Sequence, residues 1–236
     1  MADWSFMADN LAEVKAVIAE AKQSPRAAAA VKLLAVSKHN PAEAAAACWA
    51  LGVDGLAENR VQELLPKQDA LPPAVKWHLI GHLQTNKVQK VIGRVEMIHS
   101  LESLRLAEEI EKRAAAAGLV VPCLIEVNMA GEESKFGLPP AQVWDFVQAA
   151  ADMPHIALCG LMTVAPNVPP EETRQVFAGL RLLRDDLRRK CEKIANCRLN
   201  LQELSMGMSN DYRIAVEEGA TMVRVGSRIF GERVYR

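Results

Sequence analysis

The 236-residue chain lacks an excess of charge of either sign, and this absence argues against two classes of partner. Its 28 basic and 29 acidic residues give a formal net charge of −1. Nucleic acids and anionic membranes attract proteins through clustered positive charge, which is missing here. The charges at 181–190 include both signs, which is typical of the solvated face of an outer helix. We therefore expect neither nucleic acid nor a membrane as a partner.

Cysteine is scarce, and long apolar runs are missing. The chain has five cysteines, an odd number with no CxxC pair, and its histidines show no HxH or HExxH spacing. These features indicate neither a disulfide framework nor a metal site. No apolar run approaches the length of a membrane span, and the first residues lack the basic and apolar regions of a signal peptide. We expect a cytoplasmic protein without a metal.

Nucleotide and hydrolase motifs are absent as well, but a regular alternation of apolar runs and helical patterns is present. There is no Walker A motif and no GxSxG elbow. Strand-like runs occur at or near 33–37, 53–57, 77–80, 95–99, 121–127, 156–163, 199–204 and 221–225. Helical patterns occupy 8–22, 41–52, 59–68, 84–92, 101–117, 139–151, 170–191, 209–218 and 227–235.

This alternation predicts an α/β fold with a parallel sheet. Eight strands, each followed by a helix, in 236 residues match a single (β/α)8 TIM-like barrel over residues 1–236, with one extra helix at the N-terminus. An open doubly wound sheet is the alternative. It fits less well because no GxGxxG turn follows the first strand.

The first apolar run leads to Lys38. Taken by itself, this position predicts a lysine side chain that lies in solvent at the end of a strand. In a barrel, however, sites lie at the C-terminal ends of the strands, and phosphate sites commonly form after strands seven and eight. Residues 205–209 (SMGMS) and Gly226-Ser227 are small, hydroxyl-bearing turns at those places, where helix N–H groups favour an anion. Lys38 then suits a Schiff base with a phosphorylated aldehyde, either pyridoxal 5′-phosphate or a sugar phosphate in an aldolase.

Arg224 lies inside the eighth apolar run, two residues before Gly226. A guanidinium in such a run either extends outward to solvent or lies inside the barrel as a donor to a ligand. Because Arg224 lies close to the predicted phosphate turn, the sequence leaves the inward position open beside the outward one.

Beyond these patterns, the chain resembles the pyridoxal phosphate homeostasis proteins, which are related in fold to the barrel domain of alanine racemase. The resemblance covers nearly the whole chain, with one departure, Leu56-Ala57, where the family usually has an aromatic-glycine pair. It rests on VSK at 36–38 with Pro41, ENRVQE at 58–63, WHLIG at 77–81, LQTNK at 83–87, HS at 99–100, VN at 127–128 with Glu133, Lys135 and Gly137, GLM at 160–162, LSMGMS at 204–209 with Asp211, VRVG at 223–226 and IFG at 229–231.

The resemblance implies a set of residues that bind pyridoxal 5′-phosphate (PLP). Lys38 would form the Schiff base, Arg224 would face the pyridine nitrogen, and Lys135 resembles a second family lysine implicated in handling the cofactor. An arginine stays protonated and so keeps that nitrogen unprotonated, which makes the ring a poorer electron sink. The other implied residues are Ser205, Gly226 and Ser227 at the phosphate, Asn59 and His82 near the ring, and Met162 and Met206.

Carriage of the cofactor fits the chain better than catalysis. A racemase of the related fold continues into a β domain that supplies an opposing tyrosine, whereas this chain ends at Arg236, and neither Tyr212 nor Tyr235 suits that role. Racemisation with two bases needs an acid/base group on each face of the substrate. We therefore predict a monomeric protein that buffers PLP or delivers it to apo-PLP enzymes, with no catalytic residues. The alternatives are a PLP-dependent amino-acid racemase or other small PLP enzyme, and a Schiff-base aldolase without PLP.

Overall fold

The structure, a computed structural model, describes residues 4–132, 135–192 and 200–231. Within them, eight parallel strands close a barrel in the order of the chain, which confirms the predicted (β/α)8 architecture. The strands are β1 (Lys32–Val36), β2 (Gly55–Glu58), β3 (Trp77–Leu79), β4 (Met97–Leu101), β5 (Val121–Glu126), β6 (Ile156–Met162), β7 (Glu203–Ser205) and β8 (Met222–Val225).

Helices follow seven of these strands, and one more precedes the first, as predicted. They are α1 (Phe6–Ala21), α2 (Ala42–Ala50), α3 (Val61–Ala70), α4 (Leu104–Ala117), α5 (Val143–Ala150), α6 (Arg174–Glu192), α7 (Tyr212–Glu217) and α8 (Ser227–Phe230). Short 3₁₀ turns, Pro140–Gln142 and Pro170–Thr173, lead into α5 and α6. Glu133, Cys197, Tyr235, the first residue of the strand predicted at 199–204 and residues 232–235 of the last predicted helix lie outside the described residues.

The segment after β3 differs from the α-helix predicted over 84–92. It forms a 3₁₀ helix, Thr85–Lys90. Val88 and Val91, three residues apart, are both fully buried. A spacing of three places both side chains on one face of a 3₁₀ helix, which has three residues per turn. The buried pair therefore suits the tighter helix.

The boundaries of β7 also differ from the prediction, with a consequence for Ser205. The strand spans Glu203–Ser205 rather than 199–204, so Ser205 is its last residue and does not begin the following turn. The direction of the Ser205 side chain is therefore set by the alternation of side chains along the strand and not by the geometry of a helix N-terminus.

Two apolar layers result from the alternation of side chains along the strands. The larger layer lies between the sheet and the helices, and it includes Leu33, Ala35, Val223 and Val225. The smaller one consists of residues of the opposite parity, which fill the barrel interior: Leu34, Val36, Ala57, Met97, Leu124, Met162 and Met222.

The barrel closes where β8 pairs with β1. Leu34 is in register with Arg224, and Ala35 with Val225. Helix α1 packs beside this seam, and the Asn10 side chain donates to the Ile229 carbonyl over 3.1 Å. Across the described residues, no helix is both long and apolar enough to span a bilayer.

Candidate functional site

Lys38 follows a residue that is held at both its side chain and its carbonyl. The Ser37 hydroxyl donates to Glu58 Oε1 over 2.6 Å, and Lys67 Nζ donates to the Ser37 carbonyl over 2.7 Å. Lys67 also pairs with Glu58 Oε1 at 2.5 Å, and all three residues are buried. Burial raises the pKa of the Glu58 carboxyl, while the bonds from Lys67 and Ser37 oppose the rise. This cluster fixes the C-terminal end of β1 against α3.

The residue after Lys38 is held as well. His39 has a φ of 64°, in the left-handed region that side chains other than glycine rarely adopt. Its backbone N–H donates to Glu63 Oε2 over 2.7 Å. Left-handed backbone at a non-glycine residue costs about 1–2 kcal/mol, and the bond to Glu63 offsets part of that cost. The half-buried Lys38 thus lies between two fixed residues.

Arg224 lies inside the barrel with 3% of its surface exposed. One terminal nitrogen donates to Ser205 Oγ over 2.7 Å, and the other donates to the Thr163 carbonyl over 2.8 Å. Burial lowers the pKa of the guanidinium to about 10, while the charges of Glu126 and Asp211 oppose the change. Arg224 therefore remains protonated at neutral pH. Of the two positions that the sequence left open for it, the structure shows the inward one.

Two buried histidines continue the hydrogen bonds that begin at Arg224. Ser205 Oγ lies 2.9 Å from His99 Nδ1, and His99 Nε2 lies 3.0 Å from His78 Nδ1. Burial lowers the pKa of His78 to about 4, and nearby lysine charges lower it further. The pKa of His99 is also well below its ordinary value, through burial first and then the charges of His78 and Arg224. Both rings are neutral at pH 7.

The turn that was predicted to bind a phosphate, Gly226-Ser227, lies where β8 ends. Gly226 is in close contact with β1, because a Cβ there would lie 3.3 Å from the Val36 carbonyl oxygen. Its N–H donates to Ser209 Oγ over 3.1 Å, and Ser227 begins α8. The first N–H groups of a helix have no partner within the helix and favour an anion. Asp211 steadies the neighbouring turn by accepting from the Met208 N–H over 2.6 Å.

Asn59 and His82 lie together on the rim of the barrel, in a cleft of about 400 Å³ that Arg60, Gln84 and Lys87 also line. His82 bridges three loops. Its Nδ1 lies 2.6 Å from Glu102 Oε1, and its ring stacks on Phe136 with the centroids 4.3 Å apart. A Cβ at Gly81 would lie 2.3 Å from the Asn59 carbonyl oxygen, so the β2 and β3 loops approach closely here.

Glu126, the last residue of β5, is a titratable group outside the predicted set of site residues. It is 9% exposed. Burial, followed by the charge of Glu102, raises its pKa to about 7, and Arg224 opposes the rise. The carboxyl group therefore changes charge near neutral pH.

The remaining predicted residues, Met162, Met206 and Lys135, lie in different parts of the structure. Met162 lies in the barrel interior with Leu34, whereas the Met206 side chain packs in the outer layer between sheet and helices. Met206 directly follows Ser205, so strand alternation sends the two side chains to opposite faces. Lys135 pairs with Glu132 Oε1 at 2.7 Å and donates to the Ala165 carbonyl over 3.2 Å.

The predicted residues thus form distinct groups. Met162, Ser205 and Arg224 are inside the barrel, Gly226 and Ser227 form the turn at the end of β8, and Asn59 and His82 share the rim cleft. Tyr212 is 7% exposed and packs in the outer layer. Among the described residues, no group of three or more His, Cys, Asp or Glu side chains could hold a metal ion.

Sequence reasoning gave no site role to four residues that the structure connects to these groups: Lys67, His78, His99 and Thr163. Ser209, in contrast, belonged to the predicted turn at 205–209. For the two histidines, the alternation of side chains along a strand was a signal in the sequence. His78 lies between Trp77 and Leu79, and His99 follows Ile98 in a strand-like run, so an inward position of each ring could have been inferred. Lys67 gave no such signal, since a lysine in an amphipathic helix normally faces solvent.

Comparison with families of known proteins identifies relatives of the chain along almost its full length. Residues 3–234 match the family model described as alanine racemase, N-terminal domain. A protein of Aquifex aeolicus named pyridoxal phosphate homeostasis protein is 45% identical over 206 residues, covering 86% of this chain and 88% of that protein. A Pseudomonas aeruginosa protein of the same name is 38% identical over 235 residues, covering 98% and 97%.

Among solved structures, the fold is similar to PipY of Synechococcus elongatus with PLP bound. The two chains are 34% identical with a TM-score of 0.81, and the match covers 95% of this chain and 100% of PipY. The structure of PipY without PLP gives a TM-score of 0.84 at 36% identity, with the same coverage.

Proposed function

Because this chain belongs to the family of the alanine racemase N-terminal domain, and within it to the pyridoxal phosphate homeostasis proteins, we propose that it binds pyridoxal 5′-phosphate and serves in intracellular PLP homeostasis. The β1–β8 seam is the observation that carries this proposal. Along this seam, the buried cation Arg224 lies on β8, the held Lys38 lies just after the end of β1, and the Gly226-Ser227 turn follows the end of β8.

The chemistry of these groups fits PLP. A phosphate dianion suits the N–H groups at the start of α8 and the hydroxyls of Ser209 and Ser227. A guanidinium suits the pyridine nitrogen as a donor, and a lysine amine suits the aldehyde, to which Lys38 would bond as a Schiff base. Ser209 is added to the predicted phosphate ligands because its Oγ lies 3.1 Å from the Gly226 nitrogen. Ser205, bonded to Arg224, supports the guanidinium instead.

When bound, PLP supplies an electron sink for carbanions, and Arg224 limits it. A protonated guanidinium at this position would donate to the ring nitrogen and leave it without a proton, so the ring would withdraw electrons less strongly. Tyr212 lies in the outer layer, away from the interior in which Arg224 lies. These features support a carrier without efficient turnover of its own. We propose in addition that it works as a monomer in the cytoplasm and delivers PLP to apo-enzymes.

The absorption spectrum of the purified protein tests the proposal. We expect a visible band from the Schiff base that survives gel filtration and is lost in Lys38→Ala. Borohydride reduction followed by peptide mass spectrometry should place the cofactor on Lys38. Lys32→Ala is the matched control, because Lys32 begins β1, the strand that leads to Lys38, but is exposed and paired with Glu203 at 2.8 Å.

Other outcomes would contradict specific parts of the proposal. A colourless protein that PLP cannot reconstitute would exclude PLP binding and favour a Schiff-base aldolase. Racemase assays over a panel of D- and L-amino acids test the absence of catalysis, and turnover near the ~10 s⁻¹ typical of enzymes would contradict the carrier function.

Delivery is tested by mixing the loaded protein with an apo-PLP enzyme and following recovery of the activity of that enzyme. With the loaded wild type, the apo-enzyme should recover activity faster than passive release of PLP into solution would allow. Lys135→Ala tests whether Lys135 takes part in release. If Lys135 only holds its loop through Glu132 and the Ala165 carbonyl, the transfer rate should be unchanged.

A further inference from the structure

A row of polar side chains crosses the largely apolar interior of the barrel. It runs from Arg224 through Ser205 and His99 to His78, with successive distances of 2.7, 2.9 and 3.0 Å. All four residues are buried, with exposures between 0% and 3%. Apolar residues such as Leu34 and Met222 lie in the same interior. Buried polar groups are costly unless they are hydrogen-bonded, so the row requires an explanation.

The chemistry of arginine sets the direction of these hydrogen bonds. A guanidinium has five N–H donors and no acceptor, so Ser205 Oγ must accept from Arg224. A hydroxyl has one hydrogen, which Ser205 can donate to His99 Nδ1. His99 then carries its proton on Nε2 and donates to His78 Nδ1. In this direction every contact in the row has one donor and one acceptor.

The opposite direction is less favourable. If His99 carried its proton on Nδ1, Ser205 would accept from both Arg224 and His99. The Ser205 hydrogen would then have to leave the row, from a residue with 0% exposure. An unused donor in such a place costs about 1–3 kcal/mol. The geometry therefore favours one tautomer of His99.

We propose that His99, supported by His78, is a positioning residue that orients the Ser205 hydroxyl. In this orientation a lone pair of Ser205 Oγ faces Arg224. The guanidinium is thereby fixed in the position from which it would donate to the ring nitrogen of PLP. This inference rests on the proposed function for its ligand, but not for the row of bonds itself. The second anchor of Arg224, the Thr163 carbonyl at 2.8 Å, is a backbone group that cannot rotate. Ser205 is the adjustable side, and His99 determines its rotamer.

Neutral histidines suit this role better than charged ones. An imidazolium would have no lone pair for the Ser205 hydrogen and would repel Arg224. Burial keeps the pKa of both rings below its ordinary value, so the row keeps its direction across the physiological range of pH. The same neutrality leaves Arg224 as the cationic member of the row.

Two substitutions at His99 separate positioning from simple filling of the core. An asparagine side chain places its amide atoms at the distance of Nδ1 from Cβ, so His99→Asn keeps an acceptor for Ser205 and loses the contact with His78. A glutamine reaches the position of Nε2 instead, so His99→Gln keeps the contact with His78 and loses Ser205. We expect His99→Asn to bind PLP with a dissociation constant close to wild type, whereas His99→Gln and Ser205→Ala bind about tenfold or more weakly.

Thermal unfolding of the PLP-free variants measures their stability separately from their affinity. If His99 only fills the core, the two variants should lose affinity in proportion to their loss of stability, and an equal loss of affinity in both would overturn the proposal. His78→Gln, which alters only the far end of the row, should weaken binding less than Ser205→Ala. A larger effect of His78→Gln would contradict the proposed direction.

Side-chain ¹⁵N NMR of the histidines in the PLP-free protein tests the row without any cofactor. We expect both His99 and His78 to be neutral and protonated on Nε2. Protonation of His99 on Nδ1 would overturn the inference even if PLP binds. Conversely, a wild type that fails to bind PLP would overturn the proposed function and leave the NMR result on the direction of the row intact.

Discussion

Lys38 is the predicted anchor of the cofactor, yet the residues that fix its backbone are its neighbours. Ser37 is tied to Glu58 and Lys67 through bonds of 2.6 and 2.7 Å, and His39 is held in the left-handed region by Glu63. Lysine has a long, flexible side chain that loses about 2 kcal/mol of rotamer entropy when it is fixed. A rigid backbone on both sides limits that loss to the side chain itself.

The buried pair of Lys67 and Glu58 gives the first prediction at this scale. Lys67→Met should lower the free energy of unfolding by about 3 kcal/mol or more, because it leaves the Glu58 carboxylate buried without its counter-charge. Lys67→Met/Glu58→Gln should recover at least half of the loss, since a neutral amide can still accept from Ser37. Urea denaturation at pH 7.5 measures both values.

The exposed Lys22 provides a control for this experiment. Lys22→Met should change the free energy of unfolding by no more than about 0.5 kcal/mol. If Lys67→Met were as stable as this control, the cluster would not hold the end of β1 as described.

At the scale of elements, strands β6 and β7 approach each other at a glycine. Gly160 is in register with Glu203, and a Cβ at position 160 would lie 1.9 Å from the Glu203 carbonyl oxygen. Backbone atoms of a paired strand cannot yield in the way that a flexible side chain can. The glycine therefore sets the spacing of the two strands that lead to Thr163 and Ser205, the acceptors of Arg224.

Gly160→Ala should consequently destabilise the protein by about 2–3 kcal/mol through overpacking and weaken retention of PLP, because the two acceptors move apart. Gly179→Ala is the matched control. It lies in α6, where the nearest atom to a new Cβ is the terminal methyl of Met129 at 2.8 Å, which can rotate away. Since alanine also favours the helix, this control should stay within about 1 kcal/mol of wild type in thermal or urea unfolding. Equal stability of the two variants would contradict the role of Gly160.

At the scale of the whole molecule, two kinds of buried group make opposite contributions to the pH dependence of stability. His78 has a folded pKa of about 4, below the unfolded value near 6.5. Its contribution is present above pH 6.5 and is lost as the pH falls toward 4. Glu126 has a folded pKa of about 7, above the ordinary value of 4.5. The folded state binds its proton more tightly, so stability falls as the pH rises from 4.5 toward 7.

The contributions of His78 and Glu126 to the free energy of unfolding partly cancel between pH 4.5 and 6.5. Glu126→Gln should remove the contribution of Glu126. At about 1.4 kcal/mol for each unit by which the pKa is displaced, each group contributes at most about 3.5 kcal/mol. Wild type should show a shallow change of unfolding free energy over this range, whereas Glu126→Gln should lose stability more steeply as the pH falls. At pH 8 the variant should be more stable than wild type. Urea denaturation at pH 4.5, 6.5 and 8 measures this, and parallel curves for the two proteins would contradict the buried titration of Glu126.

The sequence by itself determined the order of the elements. Hydrophobic periodicity is a local property, so runs such as 33–37 and 121–127 predicted β1 and β5 to within one residue at each end. The prediction was wrong for 84–92, where two valines three residues apart favoured a 3₁₀ helix. It was also wrong for the end of β7, and this displaced Ser205 from the turn to the strand.

Only the tertiary structure decided which polar side chains meet. Ser205 and His99 are 106 residues apart in the chain, and Ser37 and Lys67 are 30 apart. No local pattern encodes such pairs, because they depend on the register of strands and on which layer a side chain enters. Lys38 was visible in the sequence as a lysine at the end of a buried run. The contacts that hold its neighbour Ser37 follow from the pairing of β1 with β2 and the packing of α3. The row that orients Arg224 follows from closure of the barrel, inside which side chains of β3, β4, β7 and β8 meet.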